Sequence, residues 1–373
     1  MGMVTTRDLA ESRNVSKVIV CDVSEERLEK VAKWVGSEKL STKKLDASNH
    51  QSLVDVMKDV DAVANALPYH LNLGIMKAAI KVKKNLTDLG GVYYTTRKQL
   101  KLDNAAKKAG ITVVLGCGLA PGTADILAIY GANKLDQVNQ VHIRYADKNL
   151  EPAKYKWAFR TVLEEYTKGP VVYRNGRFER LPPFSGKQVY KFPEPLGECT
   201  CCYGLYSGVA TLPSTINKGV KIVDCAMSCR EEDEQRIKVL TEMGLTDTKS
   251  IEIEGVTISP REFLLRVASP PDVKVKDVAG IIVEVMGEKS GKTIEYRYSL
   301  VQQHHIEYGV SATAYLTGVP LSIAAQALAK GKITAKGVLP PEKALPINQF
   351  IRESAKRGIK IQEKAEAVKT IGE

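Results

Sequence analysis

The sequence predicts an α/β protein: a parallel sheet with helices on both faces, joined to an inserted α+β domain. Three observations carry this. From Lys17 to Lys134, apolar runs of four to seven residues alternate with amphipathic segments of about a dozen, the rhythm of strands and crossover helices. After Leu135 that rhythm gives way to strand-like segments separated by hairpin signals, NG at 175–176 and SG at 290–291. A small-residue-rich helix over 309–333, with Pro320 inside it, has no polar face wide enough for solvent. It is expected to pack back on the first domain.

In chain order, Met3–Ser12 reads as a short helix and Lys17–Cys21 as a buried strand ended by Asp22. SEERLEKVAKWV is an amphipathic helix with Ser24 as N-cap and Leu28, Val31, Ala32 and Val35 on one face. Strands are predicted at 42–46, 61–66, 85–89 and 111–115, and helices at 50–60, 71–82, 96–110 and 123–135. Gly110 is the stop of the third. The strand-rich region has candidate strands at 137–146, 169–182, 186–195, 220–228, 251–259, 278–287 and 292–303, and helices at 232–243 and 260–268. The expected division is a dinucleotide-binding domain at 1–134, a substrate and oligomerisation domain at 135–305, and a C-terminal helical segment, 306–373, returning to the first.

Five strands within Lys17–Lys134 point to a Rossmann-type doubly wound sheet, whose full form has six in the order 3-2-1-4-5-6. The strand without a counterpart is the first, which sits in the middle. Gly2 precedes a helix and Asp22 lies twenty positions on. That is the offset from the last glycine of G-x-G-x-x-G to the acid that binds the adenosine ribose. Gly2 and Met3 would then present the helix N-terminus to a diphosphate. Asp22 serves equally well as a cap for the following helix. No basic residue directly follows it, and its carboxylate would repel a 2′-phosphate, so NAD is expected rather than NADP.

The net charge of +11 comes from lysines scattered among glutamates, with no basic stripe interleaved with aromatics, so nucleic-acid binding is not expected. No run of 18 apolar residues suggests a membrane span, and charges at Arg7, Asp8, Glu11 and Arg13 interrupt any signal-like start. A cytosolic protein is expected. The seven cysteines match no common zinc spacing, and the adjacent His304 and His305 would point to opposite faces of a strand, so no metal is expected.

At NALPYHLN, TDLGG, GCGLAPGTADILA and GVLPPE…RGIKI the chain resembles the saccharopine dehydrogenase-like superfamily, nearest within it to the lysine 6-dehydrogenase group. The likeness covers nearly the whole chain. Members usually begin with a strand and G-x-G-x-M-G, of which Met1-Gly2 match only the end, so the sequence is expected to start about ten residues late. The resemblance implies NAD-dependent oxidative deamination of the lysine ε-amine to a semialdehyde, by hydride transfer and imine hydrolysis. A saccharopine-type dehydrogenase or reductase and a non-catalytic dinucleotide-domain binding protein are the alternatives. An ε-ammonium has a pKa near 10.4, so a base or a pocket that disfavours its charge is needed, and an alkaline optimum is expected.

Candidate residues end the strands at the switch-point crevice. Asn65, Ala66, Leu67 and Pro68 would run under the nicotinamide half of the cofactor, with Gly90 and Gly118 in the neighbouring turns. Tyr69 would stack or donate a proton, or sit at the rim without a role. His70 is a candidate base or a solvent-facing histidine. Asp88 would hold an ammonium or water, or serve as a backbone-bonded structural acid. Cys117 reads as a wall residue. The substrate carboxylate wants an arginine fork, for which Arg160, Arg174 and Arg177 are available. Trp157, Tyr166 and Thr211 fall in stretches resembling the family's substrate-domain motifs. A homodimer or homotetramer acting on a small amino-acid substrate is expected.

Overall fold

The computed structural model describes residues 1–151, 159–268 and 276–367. The first region runs α1 (Gly2–Glu11), β1 (Val18–Asp22), α2 (Glu25–Val35), β2 (Leu40–Lys44), α3 (His50–Met57), β3 (Ala62–Asn65), α4 (Asn72–Val82), β4 (Asn85–Asp88), α5 (Tyr93–Leu100), α6 (Asp103–Ala109), β5 (Thr112–Val114) and α7 (Thr123–Ala132). The strand-rich region holds β6 (Gln137–Asn149), α8 (Phe159–Thr167), β7 (Val171–Arg174), β8 (Arg177–Arg180), β9 (Gln188–Lys191), β10 (Glu198–Tyr203), α9 (Leu212–Ile216) and β11 (Ile222–Ser228). It continues with α10 (Glu231–Glu242), β12 (Ile251–Ile253), β13 (Val256–Ile258), α11 (Pro260–Val267), β14 (Asp277–Lys289) and β15 (Lys292–Gln303). The chain closes with α12 (Ala312–Ala329), β16 (Gly337–Leu339), α13 (Pro341–Ala344), α14 (Ile347–Lys356) and β17 (Gln362–Ala367).

The predicted parallel strands form, but in two sheets. β1 pairs with β2, and β3, β4, β5 and β16 form a second sheet in the order β16-β5-β4-β3. Among the described residues no strand joins β1 to β3. Most residues of these two strands are only partly buried, whereas β5 is wholly buried. Helices bridge the halves. One apolar cluster draws Leu45, Leu53, Val54 and Met57 together with Ile75, Met76, Leu86 and Val113.

The largest sheet has nine strands, ordered β17-β15-β14-β6-β11-β10-β9, with β7 on β11 and β8 on β7. Its long β14–β15 hairpin turns at Ser290-Gly291, both in the left-handed region, as the SG signal requires. α12 has the length and apolarity of a membrane span, and 83% of it is buried inside the fold. It packs on α1, β3, β4 and β14. Leu316 and Leu321 are fully buried there, each worth about 2 kcal/mol. Ser311 caps its start. The returning segment is fastened to α1 by Arg357, whose Nε donates to Asp8 Oδ1 at 2.6 Å, while Ser322 Oγ donates to Asp8 Oδ2.

One predicted helix is corrected. Residues 96–110 are not one helix but two, α5 and α6. The second helix begins at Asp103, whose Oδ1 accepts the β16 amide of Val338 at 2.9 Å.

Candidate active site

The C-terminal ends of β3, β4 and β5 are tied into one platform by short polar side chains. Asn65 ends β3, and its Oδ1 accepts the Leu67 amide at 3.0 Å. Its Nδ2 donates to Asn72 Oδ1 at 2.9 Å, and Asn72 Nδ2 donates to the Gly90 carbonyl at 3.1 Å. Asp88 ends β4. Its Oδ1 accepts the amides of Gly90 and Gly116, each at 2.8 Å, and its Oδ2 accepts Gln99 Nε2 at 2.7 Å. Burial raises the Asp88 pKa against these bonds. Both its oxygens are occupied by these donors, which tie the turns after β4 and β5 to α5.

The glycines allow this tightness. Gly90 has φ of 83°, and a Cβ on it would lie 2.7 Å from the Pro121 ring. Gly122 has φ of 118°, and a Cβ there would meet Gly118 and Gly116 backbone atoms within 2.8 Å. The Gly118 amide donates to the Pro121 carbonyl at 2.9 Å. Cys117 is buried, its thiol pKa raised by that burial.

On the cofactor side, Gly2 and Met3 open α1 beside the end of β3. A Cβ on Gly2 would approach Ala66 Cβ to 3.3 Å. Asp22 ends β1, partly exposed, with Oδ1 accepting the Ser24 amide at 2.9 Å. It therefore caps the turn into α2 and keeps a second oxygen for a ligand. Ala66, Leu67 and Pro68 are partly or fully exposed above the platform. A helix N-terminus, a close glycine–alanine approach and an acid at the neighbouring strand end fit a dinucleotide.

Tyr69 and His70 follow directly and meet the second region. The Tyr69 hydroxyl is buried beside the Glu164 carboxylate of α8. Burial, then that carboxylate, raises its pKa, so it stays protonated. Partial burial and the Arg160 guanidinium lower the His70 pKa, leaving a neutral imidazole at pH 7. Arg160 is held bidentate by Glu262 at 2.7 and 2.6 Å, so its fork is not open to a carboxylate. Glu164 pairs with Lys168 at 2.7 Å. Burial disfavours its charge, but Lys168 and Tyr69 hold its pKa below the usual range. Glu165 differs. Burial, then Asp147 and Glu164, push its carboxyl up to about 8.

The structure does not bring the other substrate candidates into this group. Arg174 faces Glu179 at 3.8 Å and the Tyr203 ring. Arg177 opens β8 across that hairpin, and Tyr166 stacks on Phe184. Trp157 lies outside the described residues. Thr211 lies by a small cavity behind the β5 turn, lined by Gly116, Pro121, Asp125, Ser207 and Pro341. There a buried pair escaped the sequence reading: Asp125, bonded to Tyr206 and the Gly122 amide, and Glu342, bonded to Thr215. Burial raises both, Asp125 to about 6 and Glu342 to about 8, the latter further by Asp125. Each stands in a motif already noticed, GTADILA and GVLPPE, where an acid amid apolar neighbours was the signal. Among the described residues no group of three or more His, Cys, Asp or Glu side chains is placed to hold a metal.

A helix N-terminus, an acid-ended strand and a crevice walled by a second region define a Rossmann-type oxidoreductase with a nicotinamide cofactor. Residues 1–114 match the saccharopine dehydrogenase NADP binding domain, and residues 118–359 match the saccharopine dehydrogenase C-terminal domain. The chain belongs to the saccharopine dehydrogenase family. It is 22% identical to the carboxyaminopropylagmatine dehydrogenase of Synechocystis, over 96% of this chain and 94% of that one. It is 23% identical to the carboxynorspermidine synthase of Vibrio cholerae, over 93% and 90%. The fold matches apo saccharopine dehydrogenase (L-Glu forming) from Saccharomyces cerevisiae, with a TM-score of 0.73 at 20% identity over 98% of both chains.

Proposed function

We propose that the protein oxidises or forms a carbon–nitrogen bond in a carboxylated aminoalkyl compound, a secondary amine of the carboxynorspermidine kind. The observation that carries this is the wall facing Tyr69 and His70. Its arginine is closed by Glu262, and beyond it stand Glu164, Glu165 and Asp147. Such a wall suits an amine better than the several carboxylates of saccharopine. Two relatives with near-complete coverage carry names of carboxylated polyamines.

When bound, the nicotinamide supplies the hydride acceptor or donor. The chain supplies the rest. The Asp88 and Asn65 networks hold the platform rigid, which keeps the reacting carbon at one distance from the ring. Neutral His70 is suited to take the proton of an amine before hydride leaves its carbon, and protonated Tyr69 to donate a hydrogen bond. Asp22 favours NAD, since a second negative charge at the ribose would meet its carboxylate.

Lysine ε-deamination is the second reading. It is favoured by the GLAPG and GVLPPE motifs and by the same neutral His70. The test is NAD(P)H formation with carboxynorspermidine, carboxyaminopropylagmatine, L-lysine and saccharopine. The proposal expects turnover with one of the first two. Turnover with lysine alone selects the second reading, and turnover with saccharopine alone rejects both.

A further inference from the structure

We infer that Lys44, paired with Glu25, reads the ribose 2′ position of the cofactor, so that the chain takes NADP as well as NAD and this pair adjusts the preference between them. The inference deepens the dinucleotide reading above and rests on it.

The sheet register sets the pair beside Asp22. β1 and β2 run parallel with Asp22 opposite Lys44, and the Leu45 amide donates to the Asp22 carbonyl at 2.9 Å, so the pairing holds to the end of both strands. Opposite residues of neighbouring strands stand about 4.8 Å apart and project from the same face of the sheet. The Lys44 side chain therefore starts next to that of Asp22. Asp22 Oδ1 accepts the Ser24 amide, and Ser24 Oγ accepts the Arg27 amide at 3.3 Å, so β1 passes directly into α2 with Glu25 in its first turn. There Lys44 Nζ lies 3.3 Å from Glu25 Oε1.

A 2′-phosphate replaces the hydrogen of the hydroxyl that Asp22 would accept, so it arrives beside Asp22, where Glu25 and Lys44 also stand. The two acids repel it and the lysine attracts it. The partners of the ion pair are 60% and 69% exposed, and an exposed pair is weak. Lys44 can therefore exchange Glu25 for a phosphate, whose charge of about −2 is the larger. NAD brings no charge to this position and leaves the pair intact. Of the other charges nearby, Lys43 lies opposite Cys21 and projects from the other face of β2, and Glu26 and Arg27 follow Glu25 on α2 with charges of opposite sign.

The test uses the full chain and follows NADH and NADPH binding by fluorescence at fixed ionic strength. Lys44→Gln should lower the ratio of NADPH to NADH affinity about tenfold. Glu25→Gln, which frees Lys44 and removes a repelling charge, should tighten NADPH binding about tenfold and raise the ratio. Lys33→Gln, which takes a charge from the last turn of the same helix, should leave the ratio unchanged. All three variants replace exposed side chains, so near-native circular dichroism is expected. NADH and NADPH weakened equally by Lys44→Gln, or a Glu25→Gln variant that binds NADPH no better than wild type, overturns the inference while leaving the dinucleotide site in place. Wild type that binds neither cofactor rejects the dinucleotide reading itself, and the inference with it.

Discussion

Asp88 offers the sharpest test of how the crevice is built. Replacing it by alanine strips a partner from three donors at once, the Gly90 and Gly116 amides and Gln99 Nε2. Each orphaned buried donor costs about 1–3 kcal/mol, and with partial relaxation the total should be about 4 kcal/mol. Asp88→Asn should behave very differently. The new carboxamide oxygen still accepts both backbone amides, while its NH2 would face Gln99. Gln99 Oε1 is buried without a partner, so rotating that amide presents an acceptor and exchanges one orphan for another. The expected loss is under about 1 kcal/mol at pH 7. The pH dependence adds a sign. The Asp88 pKa is raised by burial, so the native state keeps its proton to higher pH than the unfolded chain. Its contribution to stability falls as pH rises from the ordinary carboxylate range through that raised value, and the asparagine variant lacks this slope. Urea unfolding of wild type, Asp88→Ala and Asp88→Asn at pH 5 and pH 8 measures both effects. If the asparagine variant is as unstable as the alanine variant, the account of Gln99 and of the shared backbone acceptor is wrong.

Glu342→Gln should raise the urea midpoint at pH 9 relative to wild type and change it little at pH 4. Burial, then Asp125, raises the Glu342 pKa, so its contribution to stability falls as pH rises from the ordinary carboxylate range through the raised value. Gly122→Ala should cost about 3 kcal/mol or more and weaken cofactor binding, measured by thermal unfolding and NADH fluorescence, because its φ of 118° and the crowding by Gly118 and Gly116 both oppose a side chain. Asp22→Ser should shift the ratio of NADH to NADPH affinity about tenfold towards NADPH, and an unchanged ratio would remove Asp22 from the ribose.

The alternation of apolar runs with helical periods made β1 to β5 and their helices legible, because strand and helix periodicity are local properties of the chain. The same locality marked the Ser24 cap and the hairpin at 290–291. What Asp88 does was not local. The residue type allowed an ammonium ligand or a structural acid, and only the arrival of Gly116 and Gln99, distant in sequence, occupied both oxygens. Likewise Arg160 had the chemistry of a carboxylate fork, and the fold spent it on Glu262, 102 positions away. The bond from the β16 amide of Val338 to Asp103 joins segments 235 positions apart, so it showed in neither segment alone. Amino-acid order determined which elements form and which residues end them. The tertiary structure decided which of those polar side chains meet one another, since hydrogen bonds and ion pairs form by proximity in space.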